Sequence, residues 1–332
     1  MKILFFAVHL STFVTRDIKI LKSKNEVTYF NPVNYSLFNL YNQLRENDLT
    51  FFWFASIRFF IPLLIAKILK RKIIIVAGGY DVKKIESGSM GSIWKSIIVK
   101  IMLKLSDKIL AVSYSNRKEI INNCKLDPSK IEMVYHGFEE IKQINLSKKT
   151  DIALTIGFID KLSFSRKGID RFFKLAETLP EIEFHLIGKV EMNLDNVPVP
   201  NNVILHGHLD FGQEKFISLL ESAKIYIQFS KHESFGCSVA EAMQYGCIPV
   251  ISDSYSLPEV VGNCGLIIKE FNDYKDIASQ VRELFKAYHY NLSLECIKRV
   301  KDKFNYEVRA NKIINIVNKL EVDSPSKKIK IN

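Results

Sequence analysis

The sequence predicts an α/β fold with two doubly wound parallel sheets, and three observations support this. The 332 residues are too many for one ordinary core and suit two domains of about 150 residues each. Short apolar segments alternate with amphipathic ones along the chain, as expected of parallel strands connected by helices. The alternation stops at a polar, Lys-rich stretch, residues 139–150, and then restarts.

The first half of the chain is predicted to form the first sheet and its covering helices. Parallel strands buried on both faces are continuous apolar runs, and helices flank them. The predicted strands are residues 3–8, 26–30, 50–54, 72–76, 108–112 and 131–134, and the predicted helices are residues 17–23, 39–46, 57–69, 93–105 and 115–123.

The second half repeats the pattern and ends in three helices. The predicted strands are residues 151–157, 183–188, 203–207, 224–229, 248–252 and 265–268, and the predicted helices are residues 168–179, 212–222, 238–245, 274–287, 292–302 and 306–320. We expect an N-terminal domain of residues 1–143, a C-terminal domain of residues 144–304, a terminal helix within 305–322 and a flexible tail, 323–332.

Composition indicates a folded globular chain whose positive charge is concentrated in the first half. The chain is 47% hydrophobic and 25% charged, which excludes fibrous and disordered classes. Residues 1–150 hold 24 Lys and Arg against 12 Asp and Glu, while residues 151–332 hold 23 against 24. This asymmetry suggests an anionic partner for the first domain, either a bilayer, a lipid phosphate or nucleic acid, or only a Lys-rich composition. Nucleic acid ranks last, because charge alone supports it.

Cysteine usage and hydropathy favour a cytoplasmic protein. The five cysteines include no CxxC pair, which argues against a disulfide framework or a zinc site. Met1 and Lys2 lead directly into the first strand, with no leader pattern. The longest apolar stretch, residues 51–69, contains Arg58 and Lys67, which are costly at a bilayer centre.

One predicted helix, residues 93–105, has a pattern that fits two surroundings. Ile93, Trp94 and Ile97 belong to an apolar stripe, and Lys95 and Lys100 lie away from it. Such a stripe is packed core in most helices, but a basic amphipathic helix can also lie in a bilayer interface. Peripheral contact with the anionic inner face of the membrane is therefore a hypothesis for the first domain.

Ligands of open α/β sheets bind beyond the carboxyl ends of the strands, which draws attention to the segment after residues 224–229. A turn at Gly236 precedes a predicted helix with Ser238 as N-cap. The backbone amides from Gly236 through Cys237 and Ser238 to Val239 are predicted to form an anion site, suited to a pyrophosphate.

Two carboxylates flank this predicted anion site. Glu233 lies in the loop before the helix, and Glu241 lies inside the helix. Carboxylates repel an anion unless they are directed at hydroxyl groups, which are good donors to them. A sugar ring and a ribose supply such hydroxyls.

Residues 232–251 resemble the retaining glycosyltransferases of family 4, which have a Glu, seven residues, Glu signature. Glu233 and Glu241 match its two acids, and Gly236, Gly246 and Pro249 match its small-residue, Gly and Pro positions. The resemblance implies the GT-B fold: two Rossmann-like domains facing a central cleft, with a C-terminal helix that crosses back to the first domain. It also implies that Glu233 contacts the donor sugar and that Glu241 contacts the nucleotide ribose.

The segment 157–170 also resembles this family, with one departure. Gly157 and Lys167-Gly168 match, but Phe158 stands where an Arg is expected; Arg166 or Lys161 can supply that charge. By this resemblance Lys167 and Arg166 stabilise the leaving diphosphate. Gly157, Lys161 and Gly188, which ends the next strand, are assigned to the donor site. A surface loop with three cations is the alternative interpretation.

The acceptor side is assigned to the first domain. Family members often have His-Gly-any-Asp after the fourth strand, where this chain has Gly78, Gly79, Tyr80 and Asp81. Asp81 either contacts an acceptor hydroxyl or caps the turn. Further acceptor-side candidates are His9, Arg16 and His136.

The sequence thus predicts a retaining glycosyltransferase that moves a sugar from a nucleotide-diphosphate sugar to a glycan or a polyprenyl- or other lipid-linked acceptor, in cell-surface polysaccharide or glycolipid synthesis. Residues 151–270 are expected to bind the donor and residues 1–140 the acceptor. No cofactor and no metal are expected, because no Asp-any-Asp ligand cluster is present. The alternatives are a sugar-nucleotide epimerase and a non-catalytic nucleotide-sugar-binding protein, the latter favoured by Phe158 and Gly78.

Overall fold

The computed structural model describes residues 1–31, 35–79, 81–83, 91–193, 197–286 and 290–322. The chain divides into two compact units. Unit 1 comprises Met1–Gly137 together with the segment that begins at Tyr306, and unit 2 comprises Phe138–Asn305. Each unit contains one six-stranded parallel sheet with helices, so the α/β class with two doubly wound sheets is confirmed.

Unit 1 has the strand order β2-β1-β3-β4-β5-β6. Its strands are β1 (Lys2–Phe6), β2 (Glu26–Phe30), β3 (Leu49–Trp53), β4 (Lys72–Ala77), β5 (Lys108–Ala111) and β6 (Ile131–Met133). Its helices are α1 (Thr12–Lys22), α2 (Leu37–Glu46), α3 (Phe60–Ile68), α4 (Ile93–Leu105), α5 (Tyr114–Cys124) and, from the end of the chain, α13 (Tyr306–Val322). Every residue of β3 is buried, because helices pack on both faces of the sheet.

Unit 2 has the strand order β12-β11-β10-β7-β8-β9. Its strands are β7 (Thr150–Ile156), β8 (Glu183–Ile187), β9 (Val203–Leu205), β10 (Ala223–Gln228), β11 (Ile248–Ser252) and β12 (Leu266–Ile268). Its helices are α6 (Ser163–Arg166), α7 (Ile169–Glu177), α8 (Glu214–Ser222), α9 (Cys237–Gln244), α10 (Leu257–Val261), α11 (Tyr274–Lys286) and α12 (Tyr290–Lys303). β7 and β10 are central neighbours, and this adjacency positions the site described below.

All twelve predicted strands are present, whereas the predicted start of the first helix was wrong. α1 begins at Thr12, five residues before the predicted start at residue 17. Val14 is buried on the inner face of this first turn, so the segment is amphipathic and continues the helix. Arg16 therefore lies on a helix and not in the loop where the sequence placed it. Two short helices, α6 and α10, were not predicted.

The units divide at residues 137 and 138, six residues before the predicted boundary. The amide of Phe138 donates a hydrogen bond to the carbonyl of Phe304 (2.8 Å), and the Phe138 ring stacks on Phe235 at 6.1 Å. The chain is therefore part of the unit 2 core from Phe138 onward. Helix α13 packs on α1 in unit 1, and the predicted tail, 323–332, lies outside the described residues.

Among the described helices, none combines the length and the apolar character needed to cross a membrane.

Candidate functional site

The unit 2 candidates gather beyond the carboxyl ends of β7 and β10, where two chain segments touch. Gly168, with φ +73°, approaches the backbone of Phe229 so closely that a Cβ atom on it would lie 2.1 Å from the Phe229 carbonyl oxygen. Only a glycine permits this close approach, and glycine also adopts the left-handed backbone conformation without strain. It places Lys167, which precedes Gly168, beside the segment that follows β10.

Lys167 and Glu233 form an ion pair across this contact. Lys167 Nζ lies 2.5 Å from Glu233 Oε1, and the two side chains are 23% and 13% exposed. Burial raises the pKa of Glu233, but the charge and hydrogen bond of Lys167, the Ser230 hydroxyl and the charge of Arg166 outweigh it and hold this pKa below its usual value. Glu233 is thus an ionised hydrogen-bond acceptor, next to a cation, at neutral pH.

A network of hydrogen bonds between polar side chains orients Glu233. The Ser230 hydroxyl donates to Glu233 Oε1 (3.0 Å), and Gln228 Nε2 donates to Ser230 Oγ (2.6 Å). Gln228 Oε1 in turn accepts from the Tyr226 hydroxyl (3.0 Å) and from Ser238 Oγ (3.2 Å). A satisfied buried network fixes the position of its members. The orientation of Glu233 is therefore set by strand β10 as well as by Lys167.

Glu241 lies on α9 and is buried. The pKa of the Tyr226 hydroxyl is raised by burial, and the charges of Glu233 and Glu241 both add to that shift. Both carboxylates therefore lie near enough to this buried hydroxyl for their charges to act on it.

The start of α9 differs from the prediction. Gly236, with φ +93°, is the N-cap and α9 begins at Cys237, so the assignment of Ser238 as N-cap was wrong. The Ser238 hydroxyl bonds Gln228 on the neighbouring strand instead of the helix start. Val239 N donates to the Gly236 carbonyl (3.1 Å), so the amide of Val239 is already bonded and is not part of a free helix start. Half-buried Cys237 is the first helical residue.

The glycines after β7 and β8 meet. A Cβ atom on Gly188 would lie 1.9 Å from the Gly157 carbonyl oxygen, so both backbones are packed against each other. This contact fixes the loop that leads from Gly157 to Lys167. Gly188 thus acts by packing its backbone against Gly157 and has no side chain to contact a ligand.

Three other residues of this loop, Arg166, Lys161 and Phe158, are described by the structure and form no hydrogen bond or salt bridge with Glu233. Arg166 Nη2 donates to Ser163 Oγ (3.1 Å), although the charge of Arg166 still lowers the pKa of Glu233. Lys161 is exposed in the turn before α6. Phe158, at the position of the expected Arg, is exposed to solvent. Arg166 is thus the second cation whose charge acts on the pair.

In unit 1, Asp81 caps the turn after β4. Its two carboxylate oxygens accept hydrogen bonds from the amides of Ala55 (2.8 Å) and Gly79 (2.9 Å), and the side chain is buried. Burial raises the pKa of Asp81 to about 6 despite these backbone hydrogen bonds. Of the two roles left open by the sequence, the contacts of Asp81 are those of the turn cap. Tyr80 lies outside the described residues.

The other acceptor-side candidates fall into two groups. His136 is buried and stacks on Trp53 with 5.9 Å between ring centroids. Burial, and then the charges of Arg309 and Arg16, lower the pKa of His136 well below its usual value, so this ring is neutral at physiological pH. His9 is exposed in the loop after β1. The charge of Arg16 therefore acts on the His136 ring, whereas His9 lies on the surface.

No group of three or more His, Cys, Asp or Glu side chains suited to a metal occurs in the described part of the chain. The Lys167–Glu233 pair is suited to bind phosphate and hydroxyl groups. The Lys167 ammonium attracts phosphate oxygens, and the Glu233 carboxylate accepts hydrogen bonds from hydroxyls.

Tyr226, Gln228 and Ser230 were missed by the sequence interpretation. The available signal was local: Tyr226 and Gln228 are buried polar residues in a strand whose other buried residues are apolar. Buried polar side chains are retained with hydrogen-bond partners, and such partners often belong to a site. The hydrogen-bond partners of Gln228 and Ser230 include Lys167 and Ser238. The sequence pattern of β10 does not reveal these partners.

Comparisons with known proteins identify a family and a fold. Residues 137–303 match the family described as glycosyl transferases group 1, and this range nearly coincides with unit 2. An uncharacterized 41.2 kDa protein in the cps region of Klebsiella pneumoniae is 24% identical over 233 residues, which cover 66% of this chain and 63% of that protein. A glycogen synthase from Petrotoga mobilis is 25% identical over 223 residues, which cover 57% of this chain and 44% of that protein. The chain thus spans less than two thirds of these relatives.

The fold has solved counterparts. The crystal structure of Anabaena HepE in complex with UDP and glucose superposes with a TM-score of 0.77 at 13% identity, covering 96% of this chain and 100% of that one. At this identity the likeness shows the fold alone, and that fold is GT-B. Because the family match covers half of the chain and includes the Lys167–Glu233 pair, the chain belongs to the glycosyl transferases group 1 family.

Proposed function

We propose that the protein is a retaining glycosyltransferase that moves a sugar from a nucleotide-diphosphate sugar to a glycan or lipid-linked acceptor, in cell-surface polysaccharide or glycolipid synthesis. The observation that carries the proposal is the pairing of Lys167 with an ionised Glu233, held by Ser230, near a second buried acid, Glu241. A lone ion pair at a surface has no need for this supporting network.

Each group of the pair has a task in this proposal. Lys167, helped by Arg166, neutralises the charge that develops on the departing diphosphate. Glu233 accepts a hydrogen bond from a hydroxyl of the donor sugar, and Glu241 accepts one from the ribose. In the protein without donor, Lys167 and Glu233 satisfy each other, and the donor's phosphate and hydroxyl groups exchange for that contact.

The proposed transfer keeps the anomeric configuration. The bond between sugar C1 and the diphosphate oxygen breaks, and the acceptor hydroxyl oxygen bonds to C1 on the same face. The acceptor proton passes to the departing diphosphate oxygen, so no protein base is required. Lys167 contributes by holding the diphosphate in the orientation in which it can take this proton.

The relatives support the donor class and the acceptor class. HepE was crystallised with UDP and glucose, and the names of the sequence relatives are glycogen synthase and a protein of a cps region. Uridine-diphosphate sugars are therefore the first donors to test, and glycans are the first acceptors.

The test is nucleotide release from a panel of nucleotide-diphosphate sugars, with and without glycan and lipid-phosphate acceptors. We expect one donor to be turned over, faster with an acceptor, and the Lys167→Ala variant to lose at least about tenfold in kcat/KM because one charged contact to the diphosphate is worth about 1.5–3 kcal/mol. The matched control is Lys224→Ala, which removes a similarly short ion pair (2.6 Å) with Asp151 at the opposite end of β10. Proton NMR of the product sugar then reports whether the configuration is retained.

The competing functions give different outcomes in the same experiment. Donor binding without turnover with any acceptor identifies a non-catalytic nucleotide-sugar-binding protein, which the exposed Phe158 favours because a cation is missing there. Conversion of the donor sugar without release to an acceptor identifies an epimerase. Loss of activity in Lys224→Ala equal to that in Lys167→Ala contradicts the assigned site.

A further inference from the structure

Helix α4 has two apolar faces, and the structure packs one and exposes the other. Val99, Met102 and Leu103 are fully buried in the core of unit 1. Ile93 and Trp94 are 78% and 77% exposed, and Ile97 and Ile101 continue the exposed stripe at helical spacing. The core therefore accounts for only one of the two faces, and the second apolar face lies on the surface.

Helix α3, which packs beside α4, extends this exposed face. Ile61 and Ile68 lie seven residues apart on the outer side of α3 and are exposed, and Ile57 in the preceding turn is exposed as well. We define the α3–α4 surface by its large exposed side chains: Ile57, Ile61, Ile68, Ile93, Trp94 and Ile97. Several large apolar side chains exposed on two packed helices are a common sign of a binding surface.

The charges on the same elements are all positive. Residues 57–72 contain five Arg and Lys and no Asp or Glu, and residues 91–105 contain three Lys and no Asp or Glu. Arg58, Lys67 and Lys95 on these elements are exposed to solvent. A nucleic acid would satisfy the cations but not the isoleucines and Trp94, whereas an anionic bilayer satisfies both.

A cavity of about 330 Å³ lies at the C-terminal end of α4. Lys100, Lys104 and Lys125 are among the residues that line it. Its one acidic residue, Asp127, already accepts hydrogen bonds from the amide and hydroxyl of Ser129. The cavity is therefore large enough and positively charged enough to hold the phosphate of a lipid headgroup next to the α3–α4 surface.

We propose that the α3–α4 surface binds an anionic lipid bilayer, with Ile93, Trp94 and Ile97 inserted at the boundary of headgroups and acyl chains and the lysines at the phosphates. Long Lys and Arg side chains can extend their charged ends to the phosphates while their stems stay on apolar surface. This inference does not depend on the transferase reaction, because its test contains neither donor nor acceptor.

The chain provides its own reporter for this contact. It has two tryptophans: Trp53 is fully buried and Trp94 is exposed. Vesicles of phosphatidylglycerol mixed with phosphatidylcholine should bind the protein at low salt and shift its tryptophan emission to the blue, and a brominated acyl chain should quench it. The Trp94→Phe variant should still bind but show no shift. Vesicles of phosphatidylcholine alone should do neither.

Two pairs of substitutions test apolar and charge contributions separately. Trp94→Ser with Ile97→Ser, and Lys67→Glu with Lys95→Glu, should each weaken vesicle binding by at least about tenfold. The matched controls are on unit 2: Tyr290→Ser with Leu294→Ser removes two other exposed apolar side chains, and Lys275→Glu with Lys298→Glu makes the same change in net charge. Both controls should change binding by less than about twofold.

Three results would overturn the proposal. They are absence of binding to phosphatidylglycerol vesicles, equal weakening by the surface and control charge pairs, and binding without any change in Trp94 emission. Tight binding of duplex DNA that competes with vesicles and survives the Trp94→Ser and Ile97→Ser substitutions would assign the charge to nucleic acid instead.

Discussion

Arg309 of α13 and Asp17 of α1, 292 residues apart, form a buried, doubly hydrogen-bonded ion pair. Arg309 Nε and Nη2 each donate to a carboxylate oxygen of Asp17 at 2.6 Å. Trp53 Nε1 also donates to Asp17 (2.8 Å), and Arg309 Nη1 donates to the carbonyls of Val134 and Tyr135. Helix α13 is thus attached to the first helix of unit 1 by a buried cluster of hydrogen-bonded polar groups.

Loss of Arg309 should therefore destabilise unit 1. Arg309→Met leaves Asp17 buried without its cation, which we expect to lower the free energy of unfolding by about 3–5 kcal/mol. Urea unfolding followed by tryptophan fluorescence measures this, since both tryptophans lie in unit 1. Arg282→Met, which breaks an exposed pair with Glu181, is the control and should cost less than about 1 kcal/mol. Equal shifts in both variants would show that burial of the Arg309 pair is not what matters.

The close approach of Gly168 to Phe229 should be required for activity. In Gly168→Ala the new methyl group would lie 2.1 Å from the Phe229 carbonyl oxygen, so the backbones must separate and move Lys167 away from Glu233. We expect a loss of more than about tenfold in kcat/KM, because a misplacement near 1 Å at a reacting group can cost about a hundredfold.

Gly207→Ala separates this effect from backbone strain. Gly207 has φ +68°, close to the +73° of Gly168, but an added Cβ would meet nothing within 4 Å. Both variants share a strain of about 1 kcal/mol or more from a positive φ. Only Gly168→Ala should lose activity beyond that common loss of stability, and comparable activity of the two would refute the role of the contact.

Ser230 should matter through the position of Glu233. Ser230→Ala removes the hydrogen bond to Glu233 and the acceptor for Gln228 Nε2. A hydrogen bond to a charged group contributes about 1.5–3 kcal/mol, so donor affinity should fall by about tenfold or more in an equilibrium titration. Ser222→Ala, which removes a hydroxyl bonded to the carbonyl of Leu219, is the matched control. Unchanged donor affinity in Ser230→Ala would mean that Lys167 alone orients Glu233.

Asp81 should make unit 1 less stable as pH rises. Its pKa is about 6 in the folded protein and 3.8 in the unfolded chain, so the folded state binds the extra proton between these values. The free energy of unfolding should therefore fall from about pH 4 to about pH 6 and then level off, by about 3 kcal/mol for a shift of this size.

Asp81→Asn removes this titration. The difference in unfolding free energy between wild type and variant should consequently change by about 3 kcal/mol between pH 4 and pH 7, in favour of the wild type at the lower pH. Tryptophan-detected urea unfolding at several pH values provides the measurement. A difference that does not vary with pH would show that Asp81 is not protonated in the folded state near pH 5.

The strands could be predicted from the sequence because their apolar runs are local. What the sequence misjudged depends on partners elsewhere in the chain. Ser238 looks like an N-cap by its neighbours, but its hydroxyl bonds Gln228, a residue of the adjacent strand, and Gly236 caps the helix through its backbone conformation. Local patterns cannot show which strand lies next to which.

The candidate site also contains residues that the sequence indicated and residues that it did not. Glu233, Glu241 and Lys167 were proposed from a family resemblance, and Lys167 and Glu233 meet because β7 and β10 are neighbours in the sheet. Gln228 and Ser230 were not singled out, because a polar residue at or just beyond the end of a buried strand gives no indication of its long-range partner. Their importance becomes visible only when the distances to Glu233 are known.

The most direct test of the account is an equilibrium titration of UDP-glucose and of UDP alone against wild type, Glu233→Gln and Glu241→Gln. If Glu233 contacts the sugar and Glu241 the ribose, Glu233→Gln should weaken UDP-glucose by about tenfold while changing UDP by less than about threefold, and Glu241→Gln should weaken both ligands by about tenfold. Should UDP-glucose fail to bind, the same comparison applies to the donor that the panel identifies. Equal effects of Glu233→Gln on the sugar nucleotide and on the free nucleotide would contradict the assignment of this carboxylate to the donor sugar.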